Sequence, residues 1–238
     1  MSSLQIVCLT GAGVSADSGL STFRDAGGLW EGHAVEEVAT PEGWAADPAL
    51  VWRFYQLRRG ALAGVEPNAA HLALADFEER LVAAGHGFTL VTQNVDDLHE
   101  RAGSRRLLHM HGELARLRCE ACGERIHDLE RTDPGAFLAC AACGHPRLRP
   151  DVVWFGEIPM HLAAIEDAMH GCTHFLSIGT SGVVYPAAGL LAAARSRGAT
   201  TIVNSLDAPE NLNALDRFHP GRAAACLPIL LEALLDEL

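Results

Sequence analysis

Four cysteines stand in two pairs, Cys119-x2-Cys122 and Cys140-x2-Cys143, with 17 residues (123–139) between the pairs; two histidines, His109 and His111, lie just ahead of the first. An interval of roughly 15–20 residues between such pairs is the spacing of a zinc ribbon. Four thiolates complete a tetrahedral zinc shell and leave no position for water, so this metal is expected to be structural, where a catalytic zinc would keep one position open. In so small a module the metal supplies much of the folding free energy. His127 and His145 lie in or beside the ribbon; with four cysteines sufficient, they are read as solvated loop residues. The histidine pair is then a separate device. His111 precedes Gly112 and follows the apolar strand "LLHM", and an imidazole with an unperturbed pKa near 6.5 suits proton transfer at neutral pH. Residues 109 and 111 would share a face of a regular strand, so periodicity leaves open which of them acts.

A second chemical pattern opens the chain. In "LTGAGVSADSG", Gly11, Gly13 and Ala16 match G-x-G-x-x-G/A directly after an apolar run. Such glycines let backbone approach a pyrophosphate, and the following helix start offers free N–H groups. The second strand ending in an acidic residue, which should complete the pattern, is missing. "STFRDAGGLWEGH" stands in its place, Gly-rich and loop-like, either a segment over the dinucleotide or a plain surface loop. Arg24 within it could balance phosphate charge.

The elements that must position these groups are legible as alternating strands and helices. "LQIVCLT" (4–10), "GFTLVT" (87–92), "HFLSIGT" (174–180) and "TTIVNS" (200–205) read as strands. "PALVWRFYQLRRGALAG" places Leu50, Phe54, Leu57 and Ala61 on one helical face, and "NAAHLALADFEERLVAAG", "AAGLLAAARSRG" and "CLPILLEALLDEL" are also helical. This alternation predicts an α/β fold, a Rossmann-like parallel sheet with helices on both faces. Small and polar residues follow each strand: "GAG", "QN", "GTS", and Asn204 with Ser205. Ligands of open α/β sheets bind outside the carboxyl ends of strands, so four such ends predict one crevice.

Composition bounds the partners. The formal net charge of -12 argues against a general nucleic-acid or anionic-membrane binder, which must neutralise phosphates. No apolar run is long enough to span a bilayer, and "MSSLQIVCLTG" has neither a basic start nor a cleavage site. Seven cysteines, four of them in the CxxC pairs and Cys8, Cys172 and Cys226 single in apolar surroundings, suit a reducing cytoplasm, with the single ones as core filler.

Taken as a set, "GAGVSADSGLSTFRDAGGLW", "TQNVDDLHERAG", "HMHGEL", the paired CxxC, "RPDVVWFGE" and "GTSGVVYPAAGL" resemble the sirtuins, NAD-dependent protein lysine deacylases. The resemblance runs in order from Leu4 to the C-terminus. Leu20-Ser21 stands where Ile-Pro is commoner, "NSL" (204–206) where "NLE" or "NxE" is usual, and "GRA" (221–223) where "GPA" or "GPC" is common; the last two touch the adenosine end.

The resemblance implies the following. NAD is a co-substrate, contacted by Gly11, Ala12, Gly13, Ala16, Phe23, Arg24, Trp30, Gln93, Asn94, Asp96, Gly179, Thr180, Ser181, Asn204, Ser205 and Ala223. Gln93 would bond the ribose, Asn94 the nicotinamide ribose or a water, and Asp96 the carboxamide; strand-end turn and helix N-cap are the plain readings of Asn94 and Asp96. His111 would be the general base and His109 structural. Val152 and Phe155 would wall the lysine channel, in an extended segment able to take the peptide as an added strand. In "VWRFYQLRRG", Tyr55 and Arg58 are three apart and share a helical face. They resemble the Tyr-x-x-Arg pair of the desuccinylase/demalonylase-type subgroup, at the floor of the acyl pocket. The expectation is NAD-dependent removal of succinyl, malonyl or acetyl groups from protein lysines, in the cytoplasm, by a monomer that binds neither nucleic acid nor membrane. ADP-ribosyl transfer to protein and a non-catalytic NAD-binding module are the alternatives. The Rossmann-like part is expected over 1–112 and 151–238 and a zinc-ribbon domain over 113–150, with a helical contribution to the small domain from about 33–66.

Overall fold

A computed structural model describes residues 3–20, 29–30 and 32–237, with Leu29 and Trp30 described in their backbone alone. In chain order the strands are β1 (Gln5–Thr10), β2 (Leu29–Trp30), β3 (His33–Ala34), β4 (Gly87–Thr92), β5 (Leu107–His109), β6 (Gly112–Cys119), β7 (Arg125–His127), β8 (Leu148–Val152), β9 (His174–Ile178), β10 (Thr200–Ser205) and β11 (Arg217–Pro220). The helices are α1 (Val35–Val38), α2 (Pro41–Ala46), α3 (Pro48–Leu62), α4 (Ala69–Ala83), α5 (Leu98–Ala102), α6 (Leu162–His170), α7 (Ala187–Ser196) and α8 (Ala223–Glu237).

Six strands form one sheet in the order β11-β10-β9-β1-β4-β5, and every neighbouring pair is parallel. Strand side chains alternate between faces, and two cores follow from that. Ile6, Cys8, Leu90, Leu176 and Ile202 face Leu74, Phe77 and Leu81 of α4 and Leu227, Leu231 and Leu234 of α8. Val7, Leu9, Val91, Phe175 and Val203 face Ile165 and Met169 of α6 and Leu191 and Ala194 of α7. The chain leaves β1 toward β4 and β5 on one side and reaches β9, β10 and β11 on the other, so the order reverses beside β1. This is the switch point at which such sheets open a crevice.

A second sheet, β7-β6-β8, is antiparallel and carries the two cysteine pairs. It shares a third core with α1–α3: Val38, Trp44, Val51, Trp52, Phe54, Tyr55 and Leu62 pack with Leu114, Leu117, Leu148, Val152 and Trp154. The helices start on clear signals. Thr40 accepts from the Gly43 N–H and Asp47 from the Leu50 N–H, each ahead of a proline at the first helical position.

One reading of the sequence, that all three single cysteines fill the core, needs correction, and α3 needs more detail. Leu50, Phe54, Leu57 and Ala61 share a face of α3 and all four line the cavity described below; Phe54 is buried there, whereas Leu57 is 56% exposed. The buried residues of α3 are Val51, Trp52, Phe54, Tyr55, Gln56, Arg59 and Leu62, and the ribbon covers most of them. Cys8 and Cys172 are buried, but Cys226 is half-buried beside the Pro220 carbonyl. Strands β5 and β11 extend the sheet by one strand at each edge. No helix among the described residues is long and apolar enough to cross a membrane.

Candidate active site

A cavity of about 1220 Å³ opens over the carboxyl ends of β1, β4, β9 and β10. It exceeds the roughly 300–1,000 Å³ of ordinary small-molecule sites, enough for a dinucleotide and an extended side chain together. Its wall brings together Gly11, Ala12, Gly13, Ala16, Gln93, Asn94, Asp96, His111, Gly179, Thr180, Ser181, Asn204, Ser205 and Ala223, and also Tyr55, Arg58, Val152 and Phe155. Phe23 and Arg24 lie outside the described residues, as does the Trp30 side chain.

The loops after β1 and β9 press against each other. A Cβ on Gly13 would stand 2.8 Å from the Gly179 carbonyl oxygen, and one on Gly11 2.9 Å from it. Only bare backbone fits there, with the N–H groups of Gly11, Gly13 and Gly179 donating to the carbonyls of Ile178, Gly179 and Asn204, so the two loops form one close-packed wall that a pyrophosphate can approach. The Gln93 amide donates to Thr180 Oγ1 at 3.1 Å, tying the β4 end to the β9 end. Buried Asn204 donates to the carbonyls of His219 and Gly221, fixing the β10 end. Its Oδ1 meets no partner within the protein, and a buried acceptor of this kind calls for a donor from a ligand or water.

Behind Asn94 and Asp96 sits Ser15, which the sequence pattern passed over because it occupies a variable position of the glycine motif. Its hydroxyl donates to Asp96 Oδ2 at 3.0 Å and accepts from the Asn94 amide at 3.0 Å. Burial pushes the Asp96 carboxyl up from its ordinary range, opposed by the Leu98 N–H and the Ser15 hydroxyl. The expected helix N-cap is resolved into two residues: Asp97 precedes α5, while Asp96 Oδ1 accepts from Leu98 N–H at 3.2 Å.

His111 lines the cavity and His109 does not. Strand β5 ends at His109, and a turn over Met110 and His111 leads into β6, so strand alternation no longer relates the two histidines. His111 Nδ1 lies 3.2 Å from the Gln93 carbonyl oxygen. A carbonyl only accepts, so Nδ1 carries the hydrogen, and Nε2 of the neutral ring holds the free lone pair. Burial lowers the His111 pKa, partly offset by that hydrogen bond. His109 is 6% exposed and sits between the Asn94 carbonyl and Glu100, whose Oε1 is 2.5 Å from Nε2.

Gly112 adopts φ 79°, and a Cβ there would collide with the Asp151 carbonyl at 2.1 Å. That close approach lets β6 pair with β8 through Gly112 and Val152. The following segment is anchored at both ends: Val153 N–H donates to His111 O and Phe155 N–H to Ala39 O. Among the described residues β8 is an edge strand, open to an added strand. On α3, the Tyr55 phenol is buried, which raises its pKa well above the ordinary value, and Arg58 lies over the Phe54 ring at 5.6 Å.

The four cysteine sulfurs all lie within 4.8 Å of one another, with Cys119–Cys143 and Cys122–Cys140 at 3.7 Å. Four thiolates about 2.3 Å from a tetrahedral zinc stand about 3.8 Å apart, so the set fits that metal. The two halves match: Gly123 N–H donates to Cys119 O and Gly144 N–H to Cys140 O. His127 and His145 are not part of the cluster, as read from the sequence. Neither is the histidine pair, and the ribbon and the cavity are separate devices.

Residues 11–186 match the Sir2 family. The chain belongs to the Sir2 family. It is 50% identical over 236 residues to an "NAD-dependent protein deacylase" of Caulobacter vibrioides, covering 99% of this chain and 98% of that one. It is 49% identical to a protein of the same name from Pasteurella multocida, over 94% of this chain and 95% of that one. Among solved structures, a Sir2 homologue in complex with NAD superposes with a TM-score of 0.88 at 38% identity, covering 98% of this chain and 90% of that chain. This Sir2-family chain therefore has a parallel sheet flanked by helices and a four-cysteine cluster suited to a structural zinc.

Proposed function

We propose that this protein is an NAD-dependent protein lysine deacylase that consumes NAD and an acylated lysine and releases nicotinamide, O-acyl-ADP-ribose and free lysine. The relatives named for this activity match over nearly their full length, and one homologous structure, at 32% identity and a TM-score of 0.74, is that of Sir2Af2 bound to a myristoylated histone peptide. The observation that carries the reading is the His111 ring, with Nδ1 committed to the Gln93 carbonyl in a cavity bounded by the glycine loop on one side and residues 152–155 on the other.

The residues act as follows. The bare turns at Gly11, Gly13 and Gly179 receive the pyrophosphate, and Gln93, Asn94 and Asp96 hold the nicotinamide and its ribose. Once nicotinamide has left and the acyl oxygen has bonded to the ribose carbon, His111 Nε2 takes the proton of a ribose hydroxyl, which attacks the acyl carbon. Water then completes release of the lysine. The peptide backbone pairs with the segment after β8, between Val152 and Phe155. Thr180, Ser181, Asn204, Ser205 and Ala223 bound the adenosine end, and Ala12 and Ala16 line the loop.

At the base of the acyl channel, Arg58 pairs with a terminal carboxylate and Tyr55 adds a hydrogen bond, so succinyl- and malonyl-lysine are the preferred substrates over acetyl-lysine. The proposal includes a cytoplasmic monomer; the seven cysteines, all free of disulfides, suit a reducing compartment. It also divides the chain into a Rossmann-like part, 1–112 with 151–238, and a ribbon, 113–150, joined by helices from about 33–66; the core shared by α1–α3 and the ribbon supports that grouping. Incubation with NAD and peptides carrying acetyl-, malonyl- or succinyl-lysine, read by mass spectrometry, tests the function. Loss of the acyl mass together with O-acyl-ADP-ribose is expected. A peptide gaining the mass of ADP-ribose would favour ADP-ribosyl transfer, and no NAD turnover would favour a binding module.

A further inference from the structure

Arg222 stands just ahead of α8, and Asp17 stands in the short 3-10 turn after the glycine loop. Although 205 positions separate them, Arg222 Nη1 donates to Asp17 Oδ1 at 2.7 Å, and both residues line the cavity. Each is carried by a fixed turn. Asn68 donates to the Val14 carbonyl and to Ser18 Oγ, both at 2.9 Å, which holds the turn around Asp17. Gly221 N–H donates to the Ser205 carbonyl, and Gly221 O accepts from Asn204 at 3.3 Å, which holds the turn around Arg222. The ion pair therefore joins the glycine-loop rim of the cavity to the rim at the end of β10.

The Arg222 side chain is 65% exposed and that of Asp17 20%, and exposed pairs of this kind add little to the stability of a fold. Their charges matter more to what enters the cavity. Asp17 directly follows Ala16, so a carboxylate stands one residue beyond the loop that receives the pyrophosphate. Left bare, it would repel an incoming phosphate. Asp207, two residues past β10, is a second carboxylate on the wall. Among the described residues three arginines line the cavity, and two of them, Arg53 and Arg58, belong to α3. Arg222 is the one on the dinucleotide side. In sequence it is the departure within "GRA"; the proline of the common "GPA" would carry no charge to set against Asp17.

We propose that Arg222 is a charge-balancing residue for NAD: by pairing with Asp17 it masks the carboxylate beside the pyrophosphate and strengthens binding of the dinucleotide, with no effect at the acyl-lysine end. This rests on the NAD-dependent reading given above. It has a signature in sign. Removing the charge of Arg222 leaves Asp17 bare toward the pyrophosphate, whereas removing the charge of Asp17 releases Arg222 toward it. The two changes move NAD affinity in opposite directions. A pair that only clasped the two rims would weaken binding when either member was lost.

The test is Arg222→Gln, Asp17→Asn and the double variant in the zinc-loaded, full-length protein, with KM for NAD measured at saturating peptide and Kd for NAD by calorimetry. Arg222→Gln should raise the NAD KM about two- to fivefold. Asp17→Asn should leave it at or below the wild-type value, and the double variant should return it toward wild type. The peptide KM should stay constant throughout. The penalty in Arg222→Gln should also shrink between about 0.05 and 0.5 M salt, because screening weakens exposed charges. A rise in both single variants would make the pair a clasp and overturn the inference, as would an unchanged NAD KM in Arg222→Gln. Wild-type protein measured alongside separates the two levels. If it binds no NAD, the NAD-dependent reading fails and takes the inference with it. If it binds NAD and Arg222→Gln binds equally well, only the role of Arg222 fails.

Discussion

His109 and His111 each bring Nδ1 to 3.2 Å from a carbonyl oxygen, and the two carbonyls, of Asn94 and Gln93, are consecutive. The rings differ in what meets the other nitrogen. His109 is buried, which alone would lower its pKa, yet the Glu100 carboxylate at Nε2 outweighs this and holds it above the ordinary histidine value. No carboxylate among the described residues bears on His111, and burial holds its pKa below that value. One histidine favours holding a proton; the other is a neutral base at physiological pH.

The pH profile should show this. His111 is active as a base only when neutral, so activity falls as pH drops through its pKa. Since that pKa is depressed, the acid limb of kcat/KM for the acyl peptide should have its midpoint below about 6.5. His111→Ala should remove deacylation by a factor of at least about 10² while NAD still binds, as judged by calorimetry. Near-normal turnover by that variant would contradict the assignment.

Metal removal should reach beyond the ribbon. Trp52 of α3 donates its indole N–H to the carbonyls of Asp133 and Ala136, and Arg59 bonds the Asp128 carbonyl, so α3 depends on the ribbon's shape. Cys119→Ala or Cys143→Ala should lose zinc by elemental analysis, melt at lower temperature and lose activity together. A zinc-free protein with an unchanged melt and normal turnover would show that the metal is not structural.

Arg58→Met should reduce desuccinylation by roughly thirtyfold or somewhat over a hundredfold, mainly through KM, with a far smaller effect on deacetylation, as expected from loss of a charge-assisted pair worth about 2–3 kcal/mol. Kinetics on matched succinyl and acetyl peptides check this. The adjacent Arg59 is not the neutral control that its position around the helix suggests. It is 0% exposed and ion-paired with Asp128, and burial lowers its pKa to about 10.

Asp128 should be a stability residue. It faces buried Arg59, and its carboxylate also accepts from the N–H groups of Glu130 and Arg131. Asp128→Ala leaves the guanidinium without its counter-charge and should cost about 3–5 kcal/mol, visible as a reduced urea midpoint in the zinc-loaded protein. A midpoint within experimental error of wild type would refute this.

Much of this was legible in the residues, for identifiable reasons. The four central strands are largely buried runs bounded by turn residues, and they are the inner four of the sheet. The cysteine spacing carried the ribbon because metal geometry constrains sequence tightly. β11, "RFHP", escaped notice because an edge strand of four half-exposed or exposed residues has no apolar run. What each side of α3 packs against was not legible, because helical periodicity says which residues share a side and not what lies opposite. Leu57 faces a cavity and Arg59 a partner sheet, an inversion of ordinary hydropathy. Ser15 was invisible as a site residue because its role lies in hydrogen bonds across 79 and 81 positions of chain, which no local pattern encodes.

The placement of β1 bears on how the chain is made. Its two partners are β4, about eighty residues on, and β9, about 170 residues on. During synthesis β1 and β4 can pair early, but the β9 flank of β1 stays bare until Ile178 has cleared the ribosome. Ile6, Val7, Cys8 and Leu9, all buried in the finished protein, then sit on an unpaired apolar strand edge for most of translation. Such an edge templates association with other chains. The cavity, whose floor includes the turns after both β1 and β9, cannot exist before that moment. Nascent chains stalled short of Ile178 should therefore engage chaperones and bind no nucleotide, and the step to a competent site comes late and all at once.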